Sequence, residues 1–217
     1  MSAFRKFVNG FLAFQKNSQA ADPELFARLS LKQKPPCMVI GCCDSRVDPA
    51  ILSRAAPGEL FIVRNVANLT PPYEPDTHYH STSAALEFGV TSLEVEYIIV
   101  LGHAHCGGVR ALLTNDPNID ETHPFISRWM RLAEPARRKT LMVLPDAPVD
   151  EQASFCEKEV VKVSLNNLMT FPCIAEGVAV GRLKLRGLYF DLGTGTLFLY
   201  KPDKDCFDPI GPDDVGD

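Results

Sequence analysis

The stretch MVIGCCDSRVDP, Met38 to Pro49, decides how this chain is read. An apolar run stops at two cysteines, and an aspartate and an arginine follow at once. Such groups are costly to bury unless each finds a partner. The stretch LGHAHCGGVRALL, Leu101 to Leu113, repeats the design. Its apolar run ends at His103, His105 and Cys106, and a helical pattern begins behind Gly107 and Gly108. In open α/β sheets, ligands gather at the carboxyl ends of the strands. If the two runs are neighbouring strands, Cys42, Cys43, Asp44, His103, His105 and Cys106 converge there.

Five short runs read as strands: Met38–Gly41, Leu60–Val63, Tyr97–Leu101, Leu185–Asp191 and Thr196–Tyr200. The first and third are apolar throughout, as in strands covered on both faces. Helical patterns lie between them. Ser81–Leu93 carries Ala84, Ala85 and Phe88, and Glu151–Leu168 carries Phe155, Val160, Val163 and Leu168. The LGTGT joining the last two strands is a hairpin signal. The expected class is α/β, a mostly parallel central sheet of four parallel strands plus one antiparallel edge strand, flanked by helices. The 217 residues suit a single domain. Residues 1–32 form an N-terminal helical arm, and the acidic, Pro- and Gly-bearing stretch 201–217 reads as a loosely ordered tail. Pro71–Asp76 and Asn115–Pro124 read as loops.

In the arm, Phe4, Phe7, Val8 and Phe11 fall on one face of a helix. So much phenylalanine calls for a covering surface, and a partner subunit supplies one. Asn9, Gly10 and Gln15 interrupt the apolar run, so it does not read as a signal peptide. No run approaches the length of a membrane span. The net charge of −5 argues against a general nucleic-acid or anionic-membrane surface. Arg128, Arg131, Arg137, Arg138 and Lys139, near Trp129, read as a solvated helix face. The seven cysteines, without a secretory signal, read as reduced thiols of a cytoplasmic protein.

Thiolates and imidazole at this density suit zinc. Side chains alternate along an extended chain, so Cys42 and Asp44 share a side while Cys43 faces away and reads as a small core residue. His103 and Cys106, three apart at a strand-to-helix turn, can reach one ion; His105 with Cys106 competes on spacing alone. Three protein ligands leave a fourth position, the pattern of a catalytic zinc. Arg46 can hold Asp44 in a bidentate grip, so that Asp44 stays ionised and only accepts a hydrogen bond.

Cys-x-Asp-x-Arg, then His-x-x-Cys and Gly-Gly, resembles the β-class carbonic anhydrases. IGCCDSRVDP, PGELFIVRNVAN and GHAHCGGV carry the likeness, which spans roughly Gln33 to Tyr200. It implies one zinc per chain on Cys42, His103 and Cys106, with Asp44 and Arg46 as a catalytic dyad. It implies reversible hydration of carbon dioxide to bicarbonate and a proton, through zinc-bound hydroxide. A homodimer or tetramer is implied too, with an apolar substrate pocket at the subunit interface. By position that pocket uses Phe61, Val66 and Gly107 of one subunit, the Gly108 amide, and Gln33 of the other. Phe88 stands where many relatives have a tyrosine. Some members are regulated by bicarbonate held by a tryptophan, an arginine and a tyrosine; here those positions hold Val39, Arg64 and Phe190, so an open site with Asp44 on Arg46 is expected. Tyr189, beside Phe190, is the alternative source of a hydroxyl. Two rival functions share these residues: hydrolysis of carbonyl sulfide or carbon disulfide, and a non-catalytic zinc module. Cys37, Cys156, Cys173 and Cys206 read as structural or surface thiols, and His78 and His80 as loop histidines that could relay protons.

Overall fold

Strand β1 (Cys37–Cys42) runs between β2 (Leu60–Asn65) and β3 (Tyr97–His103) and parallel to both in the computed structural model of the chain. The structure describes residues 1–76, 78–114, 123–211 and 214. They fall into two compact units, Met1–Lys34 and Pro35–Asp217.

In the N-terminal unit, α1 (Ala3–Phe14) begins at Ser2, whose hydroxyl accepts the Arg5 amide at 3.3 Å. Helix α2 (Pro23–Leu31) begins at Asp22, which accepts the Leu25 amide at 2.9 Å. Phe14 meets Phe26 edge-on, with ring centroids 5.7 Å apart. Phe4, Phe7 and Phe11 are exposed, and α1 buries no residue.

The second unit holds one six-stranded sheet in the order β2-β1-β3-β4-β5-β6. β4 (Lys184–Asp191) pairs parallel with β3, whereas β5 (Thr196–Lys201) and β6 (Cys206–Pro209) turn back antiparallel in sequence. The four parallel strands are as the sequence predicts. The antiparallel β5, expected at the edge, is instead covered by β6. That last strand comes from the stretch read as a loose tail. Phe207 anchors it on Tyr200, ring centroids 5.2 Å apart, and Asp205 accepts from Lys162 at 2.6 Å and from the Tyr200 hydroxyl at 2.9 Å. Asp205 stands at φ +48°, which lets the chain reverse there. Of the expected loop Asn115–Pro124, residues 115–122 lie outside the described residues.

Helices α3 (Pro49–Ser53), α4 (Ser81–Glu87), α5 (Gly107–Thr114), α6 (Pro124–Met130), α7 (Glu134–Val143), α8 (Val149–Leu168) and α9 (Pro172–Ala179) complete the unit. None of the described helices is long and apolar enough to cross a membrane. Met38, Ile40, Ile98 and Val100 build the central core with Leu86 of α4 and Val161 of α8. A second apolar cluster lies at the carboxyl ends of the strands and includes Cys42, Cys106, Val47, Ala67 and Val160. The predicted helical segment Ser81–Leu93 differs from its predicted face: Thr82, Leu86, Gly89 and Val90 are buried, while Ala84 and Phe88 are exposed.

Helix α8 lies directly on β3 and β4. A Cβ on Gly102 would stand 2.5 Å from Val161 Cγ2, closer than side chains pack. Gly102→Ala is therefore expected to cost roughly 1–3 kcal/mol, the usual range for overpacking. Urea denaturation of the zinc-free protein measures this, and an unchanged midpoint would contradict the contact.

Candidate active site

Parallel pairing sets Gly41 opposite Leu101, so β1 and β3 end side by side. Cys42 closes β1, His103 closes β3, and Cys106 follows one turn later at the start of α5. One donor atom from each of these three residues lies within 4.8 Å of the others, and all three residues are buried. His103 Nδ1 faces the Ala104 carbonyl at 2.9 Å. A carbonyl only accepts, so Nδ1 carries the proton and the lone pair belongs to Nε2. That Nε2 is buried without a hydrogen-bond partner. A buried, bare imidazole nitrogen beside two thiols is the donor set of a soft or borderline metal ion, and zinc fits it.

One of the two sulfurs is prepared for that charge. Hydrogen bonding from the Cys106 thiol, then the neighbouring His103 ring and the amides of Asp44 and Ala67, pull Cys42 down to about 4 against burial. Its bond to Cys42 and burial push Cys106 up, against the amides of Val109 and Gly108. Ala67 adopts a left-handed φ of +62°, unusual for a residue with a Cβ, and its amide serves Cys42.

Asp44 sits on Arg46 as expected: Nε to Oδ1 is 2.9 Å and Nη2 to Oδ2 is 2.7 Å. The Arg46 amide adds a third bond to Oδ1 at 3.0 Å. Arg46 beside Asp44 thus holds its carboxyl well below the usual carboxylate range. Arg64 proves to be the brace of this loop. Its guanidinium donates to the carbonyls of Cys42 at 2.8 Å and Asp44 at 2.7 Å, and to Asp48 at 2.8 Å. Asp48 in turn caps α3 by accepting the amides of Ala50 and Ile51.

Glu157 was not legible as a site residue. It lies on α8, is 3% exposed, and accepts the Cys106 amide at 2.8 Å. The Tyr189 hydroxyl donates to its other oxygen at 2.8 Å, so that hydroxyl is engaged on the α8 side of the sheet. Burial pushes the Glu157 carboxyl up, against these two hydrogen bonds.

Other predicted residues part company. His105 is exposed at φ +58°, its carbonyl accepting from Arg46 at 3.1 Å. Cys43, expected in the core, is exposed: β1 stops at Cys42, and the Cys43 amide bonds the Asn65 carbonyl while its thiol faces away. Cys156 is buried beside Thr140, and Cys37, Cys173 and Cys206 are half-buried. Val66 stands at the site against Gly108, where an added Cβ would come within 2.8 Å of Val66 Cγ1. A Cβ on Gly107 would meet nothing within 4 Å. Phe61 is in register with Met38, whereas Asn65 is in register with Cys42. At about 3.3 Å per residue, Phe61 lies four residues, roughly 13 Å, from the ligand end of the sheet. It packs on Phe88 with ring centroids 6.0 Å apart. Gln33 belongs to the N-terminal unit and is exposed. His78 and His80 both grip Asp76, at 3.0 and 2.7 Å.

The family model described as Carbonic anhydrase matches residues 37–197. Beta carbonic anhydrase 3 of Arabidopsis thaliana is 38% identical over 204 residues, covering 94% of this chain and 79% of the relative. The solved β-carbonic anhydrase CcaA superposes with a TM-score of 0.91 at 29% identity, covering 97% of this chain and 93% of that one. A structure reported for two tetrameric β-carbonic anhydrases of Sordaria macrospora gives 0.81 at 26%, covering 94% and 98%. The chain belongs to the β-class carbonic anhydrases. Cys42, His103 and Cys106 are its zinc site, and its reaction is the reversible hydration of carbon dioxide.

Cys42→Ser, His103→Ala and Cys106→Ser should each strongly weaken zinc binding, as measured by elemental analysis after dialysis. Full occupancy in all three would refute the ligand set. Asp44→Asn should keep its zinc and lose roughly 10²-fold or more in kcat, because an amide can donate where the carboxylate only accepts. A near-wild-type rate would remove Asp44 from the mechanism.

Proposed function

We propose that Asp44 and Arg46 direct the hydration, in a substrate pocket that two copies of the chain complete. The observation carrying this is the bidentate Asp44–Arg46 pair beside the buried three-donor cluster. When bound, zinc supplies a Lewis acid that makes water nucleophilic near neutral pH. Asp44, held ionised, accepts a hydrogen bond from the attacking O–H and so turns the oxygen's free lone pair toward the carbon. Water and carbon dioxide give bicarbonate and a proton, which passes to buffer. Val66 is the apolar wall. Trp129 Nε1 fixes it by donating to the Val66 carbonyl at 2.8 Å, and Gly108 leaves it room. The amides of Gly108 and Val109 serve the Cys106 sulfur on the polar side.

Phe61 lies four residues short of the ligand end of β2, and Phe88 packs on it. With Gln33 they are assigned to the site of a second copy. The exposed Phe4, Phe7 and Phe11 supply the apolar face that such pairing covers. The minimal active unit is a dimer, which can pair further into a tetramer. Seven free thiols fit a reducing cytoplasm.

Stopped-flow hydration of carbon dioxide by the zinc-loaded protein, against a chelated control, tests the activity; no acceleration over the control would refute it. Light scattering should find dimers or tetramers in the active fraction. Deleting residues 1–14 should shift the protein toward smaller, less active species, and a fully active monomer would overturn the shared pocket.

A further inference from the structure

The carbonyl of His105 and the amide of Cys106 are two ends of one peptide group. Arg46 Nη2 donates to the carbonyl at 3.1 Å, and Glu157 Oε1 accepts from the amide at 2.8 Å. Arg46 holds Asp44 with the same guanidinium, and Tyr189 holds the other oxygen of Glu157. A continuous chain of hydrogen bonds therefore runs from Asp44 through Arg46, this peptide and Glu157 to Tyr189. The peptide follows a residue at φ +58°, a conformation that a histidine adopts at a cost and that its surroundings must maintain. Glu157 and Tyr189 are each 3% exposed, so the far end of the chain is anchored in the core, between α8 and β4.

We infer that Glu157 is a positioning residue: by holding the His105–Cys106 peptide it sets the direction of the Cys106 sulfur and the seat of Arg46, and Tyr189 holds Glu157 for that task. Glu157 touches neither substrate nor reacting atoms. Its action is on the orientation of a ligand and, one hydrogen bond further, on the dyad. Partners of this kind commonly change metal affinity 10- to 100-fold.

The assignment rests on the zinc reading of Cys42, His103 and Cys106, and the test separates the two. Zinc affinity is measured on the full chain by competition with a chelating dye. Cobalt(II) substitution reports the thiolate charge-transfer band. A wild-type chain that takes up no zinc would defeat the zinc reading itself. Given a zinc-binding wild type, Glu157→Ala should weaken zinc about 10- to 100-fold and alter the cobalt band. Glu157→Gln should rescue both, since an amide oxygen still accepts from Cys106 while its NH2 faces the Tyr189 hydroxyl. Tyr189→Phe should speed zinc release several-fold. A folded Glu157→Ala protein with wild-type affinity and band would overturn the proposal, as would a Gln variant no better than Ala. If the Ala variant does not fold, Tyr189→Phe decides: unchanged zinc release and an unchanged band would overturn it. The losses in Glu157→Ala and Arg46→Ala should combine to less than their product, because both act on one peptide; independent losses would also count against it.

Discussion

The parallel pairing of β1 with β3 is the constraint on which the rest depends. Two strands covered on both faces end together, and the chain leaves each of them carrying sulfur or imidazole. Those donors are buried within an apolar cluster that contains Val47, Ala67, Val109 and Val160. Polar groups in such a place need fixed partners, because water is not there to serve them. The local backbone supplies them. Amides of Asp44 and Ala67 turn to one sulfur, and those of Gly108 and Val109 to the other. Left-handed backbone at Ala67 and His105 is accepted in return for that aim. Strain in a ligand-bearing turn is then a consequence of where the strands end, not an accident of the loops.

What was legible in the sequence is what depends on local pattern. Continuous apolar runs announced β1 and β3, and cysteine and histidine at their ends announced the metal. The Asp44–Arg46 grip followed from a spacing of two residues. What was not legible depends on partners distant in sequence. Glu157 reads as one charge among several on a long helix, and nothing around it says that it is buried. Arg64 reads by position as part of an anion pocket, yet its donors are engaged by the Cys42 and Asp44 carbonyls and by Asp48. The tail misled through composition: its acids and prolines suggested disorder, while one phenylalanine and an Asp205–Lys162 pair suffice to add a strand. Phe61 shows the limit of carrying a residue over by position. Counting along β2 separates it from its own ligands, a fact that needs the strand register.

Helix α8 joins these two kinds of information. It covers β3 and β4 with Val161 and Leu165, an ordinary packing role. The same helix buries two carboxyl groups two residues apart. Glu157 faces the Cys106 turn, while Glu159 pairs with Lys139 at 2.9 Å and Lys162 at 2.7 Å, and both lysines also reach Asp205. Buried ion pairs are weak evidence for stability, because desolvation offsets much of their attraction. Their value here is in location. One group registers the helix against the metal turn, and the other registers it against the C-terminal strand.

Carbon dioxide explains why positioning is so prominent. The substrate is small and linear, with no hydrogen-bond donor and weak acceptors, so an enzyme has little to grip. Binding energy from remote parts of a substrate, which usually offsets the cost of orientation, is missing. Catalysis must then come from groups whose geometry is set before the substrate arrives. Asp44 is fixed by three hydrogen bonds from Arg46, and Arg46 by the His105 carbonyl as well. The Cys42–Asp44 loop is fixed by Arg64 and the Cys106 turn by Glu157. The fold therefore meets the demand of a featureless substrate with side chains that the backbone and one another hold in place.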